Sequence, residues 1–508
     1  MSPSSQTAQN DQAPIRTVGI IGAGFAGLST AKLLKSLGYS VTVYEKEPDI
    51  GGVWSASRRY PGLTTQNPRD TYALSDFPMP RDYPEWPNGE QMQAYFEAYA
   101  DRFDLHRHIS LGCSVERAEP LPDGVGWRIH WQAGAESGED EFDFLLICNG
   151  IFSTPALPDF NGLEAWCQGG GTLLHSSQFS NPALADGKHV LVIGYGKSSC
   201  DVAMAVAERS ASTTVVARHL LWKIPKKILG VLNYKNLLLT RLGEGLFPYI
   251  RLRGADRFLH GSGKPLRNGL LWSLERVIGA QLRLRRLGLH PGKPLETIAR
   301  STVSNATPGF SEAVDAGTIA VKAGTQIETL EPGWAQLADG TRLRADLIVA
   351  GTGWHQTVPF LSDEIKARLT DDRGNFRLFR SMLPVDVPRL AFNGYNSSFF
   401  SQLNCEVGAM WLAEYLRGAI TLPSREARLR EIDARLAWME ARTDGKHARG
   451  TNIIPFSIHQ IDELLEEIDM QVGFGTRLKQ WFRAVDPRVY AACYDTLARR
   501  HARPTPPT

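Results

Sequence analysis

The six cysteines of this chain, Cys113, Cys148, Cys167, Cys200, Cys405 and Cys493, form no C-x-x-C or C-x-x-x-x-C pair. That absence argues against a disulfide framework and against a thiolate zinc site, and it fits a reducing, cytoplasmic compartment. No run approaches the length of about 18 apolar residues that a transmembrane helix requires. Charge of one sign is also missing. Lys and Arg number 56 against 54 Asp and Glu, a net charge of +2, so nothing global points to nucleic acid. The basic cluster Arg283, Arg285 and Arg286 alternates with leucines and reads as a solvated helix face. The first residues, MSPSSQTAQNDQAP, lack an apolar core, so 1–14 is expected to be a disordered leader rather than a secretory signal. No His/Cys/Asp cluster or Ser–His motif has spacing suited to a metal or a nucleophile, so no metal is expected.

What is present is a pair of unlike glycine-rich loops. The first, VGIIGAGFAGLST, sets Gly22, Gly24 and Gly27 in G-x-G-x-x-G spacing, with Phe25 and Ala26 between them. The second, HVLVIGYGKSSCD, has Gly194, Tyr195, Gly196, Lys197 and Ser198, with Ser199 at the third position. Each follows an apolar β-type run and opens a helix-like stretch, the context such a loop needs to cradle a pyrophosphate. The strands that follow separate the two sites. SVTVYEKE ends at Glu45, beside Lys46. A carboxylate there bonds a ribose diol and repels a 2′-phosphate, which suits FAD or NAD. TTVVAR ends at Arg218, beside His219, and a guanidinium there pairs with a 2′-phosphate. The first site is therefore read as FAD and the second as NADPH, with Lys197 and His219 adding positive character. Two such cofactors in one chain imply electrons passed from one to the other. The lack of paired redox cysteines argues against a flavin disulfide reductase.

At 508 residues, two or three domains are expected. The fold is read as α/β: two Rossmann-like domains, the second inserted in the first, plus a mostly helical C-terminal part. LIVAGTGW resembles LLICNGIF, an apolar strand closed by a small-residue turn, and the two are read as the crossings between domains. The expected boundaries are 15–155 and 345–455 for the FAD domain and 156–344 for the NADPH domain. A helical extension is expected at 456–508. Within the second unit, about 220–290 reads as helical from its leucine and aromatic spacing. Its segment ILGVLNYKNLLLTRLGEGLFPYI is amphipathic, suited to core packing, a substrate tunnel or peripheral contact with a membrane surface. The same leucine-rich helices suit a homodimer. CSVERAEP, WRIHWQ and DFLLICNG read as a small sheet. The long segment 51–87, rich in Gly and Pro, reads as a site-lining loop. In it, Gly51 and Gly52 let backbone N–H groups approach a flavin, with Val53 following and Trp54 able to stack on it.

In order, the motifs GAGFAG, GGVW, YPGLTTQNPRDTYALSDFP, GYGKSS and LIVAGTGW resemble those of the class B flavin-dependent monooxygenases. That group holds the flavin-containing monooxygenases and the Baeyer–Villiger monooxygenases. The resemblance runs from about residue 15 to 420, and through PFSIHQIDELLEE toward 470. It implies further cofactor contacts at Val115, Thr352 and Gly353. It also implies a fingerprint matched here by Gly171, His175 and Phe179, with Gly169 where the leading aromatic belongs. His175 is then expected to link domains rather than transfer protons. Heteroatom oxidisers carry an Asn ten residues before the Asp of the DFP-like turn, and Baeyer–Villiger enzymes carry an Asp in that segment. Here that position is Gln66, followed by Asn67. Either amide can donate to the flavin side of the site; both could instead cap the Pro68 turn.

The implied chemistry is hydride transfer from NADPH to flavin N5, addition of dioxygen at C4a to give a peroxyflavin, and oxygen transfer to a soft nucleophile. The expected partners are a small amine or sulfide and dioxygen. Baeyer–Villiger oxidation of ketones and an NADPH oxidase that releases hydrogen peroxide stand as alternatives. The substrate pocket is expected from 220–290 and NSSFFSQLNCE.

Overall fold

The computed structural model describes residues 14–300, 304–396, 398–443, 445 and 457–502. The leader, apart from Pro14, and the tail RPTPPT lie outside the described residues. Two five-stranded parallel sheets organise the chain. In the first, the order is Leu390–Phe392, Phe144–Ile147, Thr17–Ile21, Ser40–Tyr44, Ile109–Ser110. In the second it is Thr172–His175, Leu347–Ala350, His189–Ile193, Ser212–Ala217, Ile319–Ala323. The orders are equivalent. In each, the strand that carries a glycine loop lies between the next strand in sequence and a fully buried apolar strand, Phe144–Ile147 or Leu347–Ala350. Strands buried on both faces read as continuous apolar runs, which is why both were visible in the sequence.

The kinship of LLICNGIF and LIVAGTGW is therefore positional, since each supplies the closing strand of its own sheet. This moves one expected boundary. Leu347–Ala350 pairs with His189–Ile193 and Thr172–His175, so the second unit runs through residue 350 rather than ending at 344. An isolated apolar strand carries no mark of which sheet it enters.

The small antiparallel sheet is built from Ser114–Pro120, Trp127–Ala133 and Glu136–Phe142. Its third strand, ESGEDEF, is acidic and largely exposed, and its composition hid it. DFLLI belongs to the first parallel sheet instead.

The stretch 220–290 departs most from expectation. Its first part is not helical. Lys223–Ile224 pairs with Ser304–Asn305, and Lys227–Ile228 forms a hairpin with Leu232–Asn233. Helices follow at Lys235–Leu238, Arg241–Gly245, Gly254–His260 and Lys264–Gln281. The hairpin turns through Leu229 and Gly230 at φ 53° and 75°, which hydrophobic spacing cannot report. The apolar residues of the stretch divide: Trp222, Tyr234, Leu246 and Phe247 are among those buried, whereas Leu229, Val231, Phe258, Leu266 and Trp272 are among those exposed. No described helix is long and apolar enough to cross a membrane.

The C-terminal part is helical. Ser401–Leu416 is buried on nearly every face and packs on Phe25–Ser36, the helix that the first loop opens, and on Ser457–Glu467. The latter helix starts on the Glu244 carboxylate, which accepts the N–H groups of Ser457, Ile458 and His459 at 3.1, 3.0 and 2.9 Å. These are donors a helix leaves unsatisfied at its start. Helices Phe474–Phe482 and Ala492–His501 complete the extension expected at 456–508.

Candidate active site

The first loop is tightly determined. Gly22 has φ 106°, and a Cβ on it would meet the Cys148 carbonyl oxygen at 2.7 Å. A Cβ on Gly27 would lie 1.9 Å from the Gly22 oxygen, so the loop and its helix touch through hydrogens alone. Gly24 differs. The protein atom nearest to a Cβ there is the Gly52 Cα at 3.7 Å, an ordinary contact. What that glycine spares is space in the cleft at the N-terminus of Phe25–Ser36, where a pyrophosphate fits. Glu45 is buried. Its carboxylate accepts from Ala23 N at 2.7 Å and Glu47 N at 3.0 Å, so it clamps the loop as well as facing the cleft. Burial pushes its carboxyl up, against those two hydrogen bonds.

The second loop repeats the plan with one substitution. Gly194 has φ 99°, and its Cβ would meet the Gly351 oxygen at 2.7 Å. Nothing lies within 4 Å of a Cβ on Gly196, again leaving backbone open at a helix start. Ser199, in the third-glycine position, donates to Ile193 O at 3.2 Å. Arg218 is exposed at the end of its strand, lines the cleft, and makes no ion pair among the described residues. Lys197 does not add the free charge expected of it, because its ammonium is paired with Asp201 one helical turn on.

Both loops open into one cleft of about 1060 Å³. That is at the top of the range of about 300–1,000 Å³ typical of ligand pockets and suits more than one cofactor. Gly22, Gly24, Phe25, Ala26, Glu45, Lys46, Gly52, Val53, Trp54, Gln66, Asn67 and Val115 line it from the first unit. Gly194, Tyr195, Gly196, Lys197, Ser198, Arg218, His219, Thr352 and Gly353 line it from the second and from the crossing. Gly27 and Ser199 do not line it; they pack each loop from behind.

Gln66 and Asn67 are separated by their bonds. The Asn67 amide is used at both ends: Nδ2 donates to Phe399 O at 2.6 Å, and Oδ1 accepts from the Tyr234 hydroxyl at 3.1 Å. Gln66 Oε1 accepts from Asn305 N at 3.0 Å, while its Nε2 makes no hydrogen bond among the described residues. Among the described residues Gln66 Nε2 keeps both of its N–H groups uncommitted, whereas Asn67 Nδ2 has given one of its two to Phe399 O.

His175 is fully buried. Its Nδ1 accepts from Ser177 N at 3.2 Å, and its Nε2 lies 3.0 Å from Gly353 O, which fixes the Nε2–H tautomer. Burial lowers its pKa, so it ties its strand to the crossing as a neutral ring. Trp166 packs over Gly171, where a Cβ would sit 2.3 Å from the indole, close to the missing leading aromatic. Phe179 is fully buried and does not line the cleft. Sequence reasoning missed Arg58. Its guanidinium lines the cleft, donates to Phe152 O at 2.5 Å and lies 5.0 Å over the Trp354 ring. A single arginine in an irregular segment gives no spacing signal. Among the described residues no group of His, Cys, Asp and Glu is arranged to hold a metal ion.

Known proteins share the sequence pattern and the fold of this chain. The family described as flavin-binding monooxygenase-like matches residues 15–489. The N-oxide-forming dimethylaniline monooxygenase 2 of Rattus norvegicus is 27% identical over 504 residues, covering 94% of this chain and 86% of the relative. Flavin-containing monooxygenase 2 of Homo sapiens is 25% identical over 507 residues, with coverage of 94% and 86%. Among solved structures, S-allyl-L-cysteine S-oxygenase from Allium sativum superposes with a TM-score of 0.63 at 20% identity, covering 95% of this chain and 99% of that one. The cyclohexanone monooxygenase of Rhodococcus sp. Phi1, bound to NADP+, gives 0.65 at 17% identity, covering 90% and 99%. These two likenesses establish a shared fold. With the family match spanning nearly the whole sequence, the chain belongs to the flavin-binding monooxygenase-like family and is a flavin-dependent monooxygenase.

Proposed function

We propose that this monooxygenase binds FAD at the first loop and NADPH at the second, and oxygenates the nitrogen or sulfur of a small organic nucleophile. The observation that carries this reading is the single cleft shared by two unlike loops and lined by Gln66, whose Nε2 makes no hydrogen bond among the described residues. Flavin, once reduced and met by dioxygen, supplies the oxygenating chemistry. The protein's part is binding, orientation and exclusion of water. Gly24 and Gly196 leave backbone N–H groups open to pyrophosphates. Glu45 selects a ribose without a 2′-phosphate. Arg218, with His219 beside it, favours a ribose that carries one. Gln66 Nε2 donates a hydrogen bond on the flavin side, and Trp54 packs there edge-on to Tyr72, at 5.8 Å between ring centroids. The described carboxylates on the lining are Glu45 and Asp159, and neither belongs to the segment that carries Gln66. Heteroatom oxygenation needs no protein acid or base at that point, which supports the amine or sulfide reading. The activities for which these relatives are named, N-oxide formation and S-oxygenation, point the same way.

The test is product analysis with purified protein. It is reduced anaerobically with NADPH, mixed with dioxygen, and offered amines, sulfides and ketones. N-oxide or S-oxide formed in step with NADPH consumption is the expected result. An ester or lactone from a ketone would instead make this a Baeyer–Villiger enzyme. Hydrogen peroxide alone, with every substrate, would make it an oxidase. A colourless preparation that takes up no FAD would end the assignment of the first loop.

A further inference from the structure

Gln66 is held at its main-chain carbonyl and at its side-chain oxygen by residues that belong to the second unit. Tyr234, just after the hairpin, is fully buried, and its hydroxyl donates to Gln66 O at 2.8 Å and reaches Asn67 Oδ1 at 3.1 Å. Asn305 is fully buried on a short strand paired with Lys223–Ile224. Its backbone N–H donates to Gln66 Oε1 at 3.0 Å, and its Nδ2 donates to Gln66 O at 2.8 Å. Asn305 N thus fixes the side-chain oxygen of Gln66, while the Tyr234 hydroxyl and Asn305 Nδ2 fix the main-chain carbonyl from which that side chain springs. An amide whose oxygen faces a donor presents its NH2 group on the other side, and Gln66 is a residue that lines the cleft. Tyr234 is kept protonated, since burial raises its phenol pKa, so it remains a donor.

We propose that Tyr234 and Asn305 are positioning residues that hold the Gln66 amide with its N–H groups turned into the cleft. The second unit would then set the hydrogen-bond donor of the first. This rests on the reading of Gln66 given above. It adds that a nucleotide held by the second unit and the donor on the first unit are registered to each other through the 223–234 segment and Asn305.

The test compares Gln66→Ala, Tyr234→Phe, Asn305→Ala and the Tyr234→Phe/Gln66→Ala double variant as FAD-loaded proteins. Three quantities are read: the dissociation constant for FAD, the visible absorption of the oxidised bound flavin, and hydrogen peroxide released per NADPH consumed. Tyr234→Phe is expected to leave FAD affinity unchanged and to shift the flavin band in the same direction as Gln66→Ala. It should raise the peroxide-to-product ratio by about fivefold, the worth of one net hydrogen bond. Asn305→Ala keeps the backbone donor to Oε1, so it should move the same readouts by less, and it carries the test if Tyr234→Phe does not fold. The double variant should match Gln66→Ala, because residues acting through one group are not additive. If Gln66→Ala uncouples while Tyr234→Phe and Asn305→Ala keep wild-type spectrum and coupling, the positioning role is wrong and the Gln66 reading stands. If Gln66→Ala is itself unchanged, both are wrong. Additive effects in the double variant would show that Tyr234 acts elsewhere, and would overturn the proposal.

Discussion

Ser199 and Gly351 show how a departure from a motif is absorbed by one neighbouring residue. A Cβ on Gly351 would lie 2.1 Å from the Ser199 hydroxyl, so the serine fits because residue 351 has no side chain. Gly351→Ala should lower stability by about 1–3 kcal/mol, the usual cost of overpacking. Ser199→Gly should recover most of that loss, and thermal unfolding of the single and double variants measures it. Arg218 is the second test at this scale. It is exposed and makes no ion pair among the described residues, so a contact with a 2′-phosphate there would be screened. Arg218→Ala should raise KM for NADPH about tenfold, equivalent to ~1.4 kcal/mol, and leave KM for NADH nearly unchanged. An unaltered preference between the two would remove the assignment. The place of Gly22, Glu45 and Arg218 on the cleft was legible because a glycine loop and the strand end that follows it recur at fixed spacing. Arg58, Tyr234 and Asn305 were not, because they reach the site through tertiary packing alone. The different hydrogen bonding of Gln66 and Asn67 is likewise something no spacing reports.

At the scale of elements, the helix Ser457–Glu467 depends on a group remote in sequence. Glu244 caps it, and His459 in its first turn lies between Glu244 and Asp256, with Nε2 2.9 Å from Asp256 Oδ2. The ring stacks on Tyr249 at 4.4 Å. Burial alone would lower the His459 pKa, but the hydrogen bonds to Asp256 and Glu244 outweigh it and raise it to about 10. A histidine with a raised folded pKa contributes stability that is fully present below its unfolded value of about 6.5. That contribution fades as pH climbs and is gone above about 10. Urea midpoints should therefore fall between neutral and pH 10 in the wild type, and fall less in His459→Gln. Equal slopes would show that the imidazolium is not the linked group. The parallel strands were legible as elements because burial on both faces writes them as apolar runs. The hairpin Lys227–Asn233 was not, because its leucines sit at spacings that also fit a helix, and only the positive φ at Leu229 and Gly230 decides.

For the molecule as a whole, two nucleotide units and a helical C-terminal part could be read in advance, since each unit carries its own loop, strand and terminal charge. The strand Leu347–Ala350 was placed on the wrong side of the boundary, because sheet membership is a property of pairing. That pairing also sets a timetable for synthesis. All five strands of the second sheet lie between Thr172 and Ala350. The first sheet is begun earlier, yet its edge strand Leu390–Phe392 and the covering helix Ser401–Leu416 come later. On the ribosome, where domains form as they emerge, the unit that starts second should finish first. Nascent chains arrested once residue 350 has cleared the exit should resist protease across 172–350 and be cut within 15–147. Equal protection of both stretches would contradict this order. Until the last edge arrives the first sheet should remain a half-built surface, and that stretch of the newborn chain should be the one most in need of a chaperone.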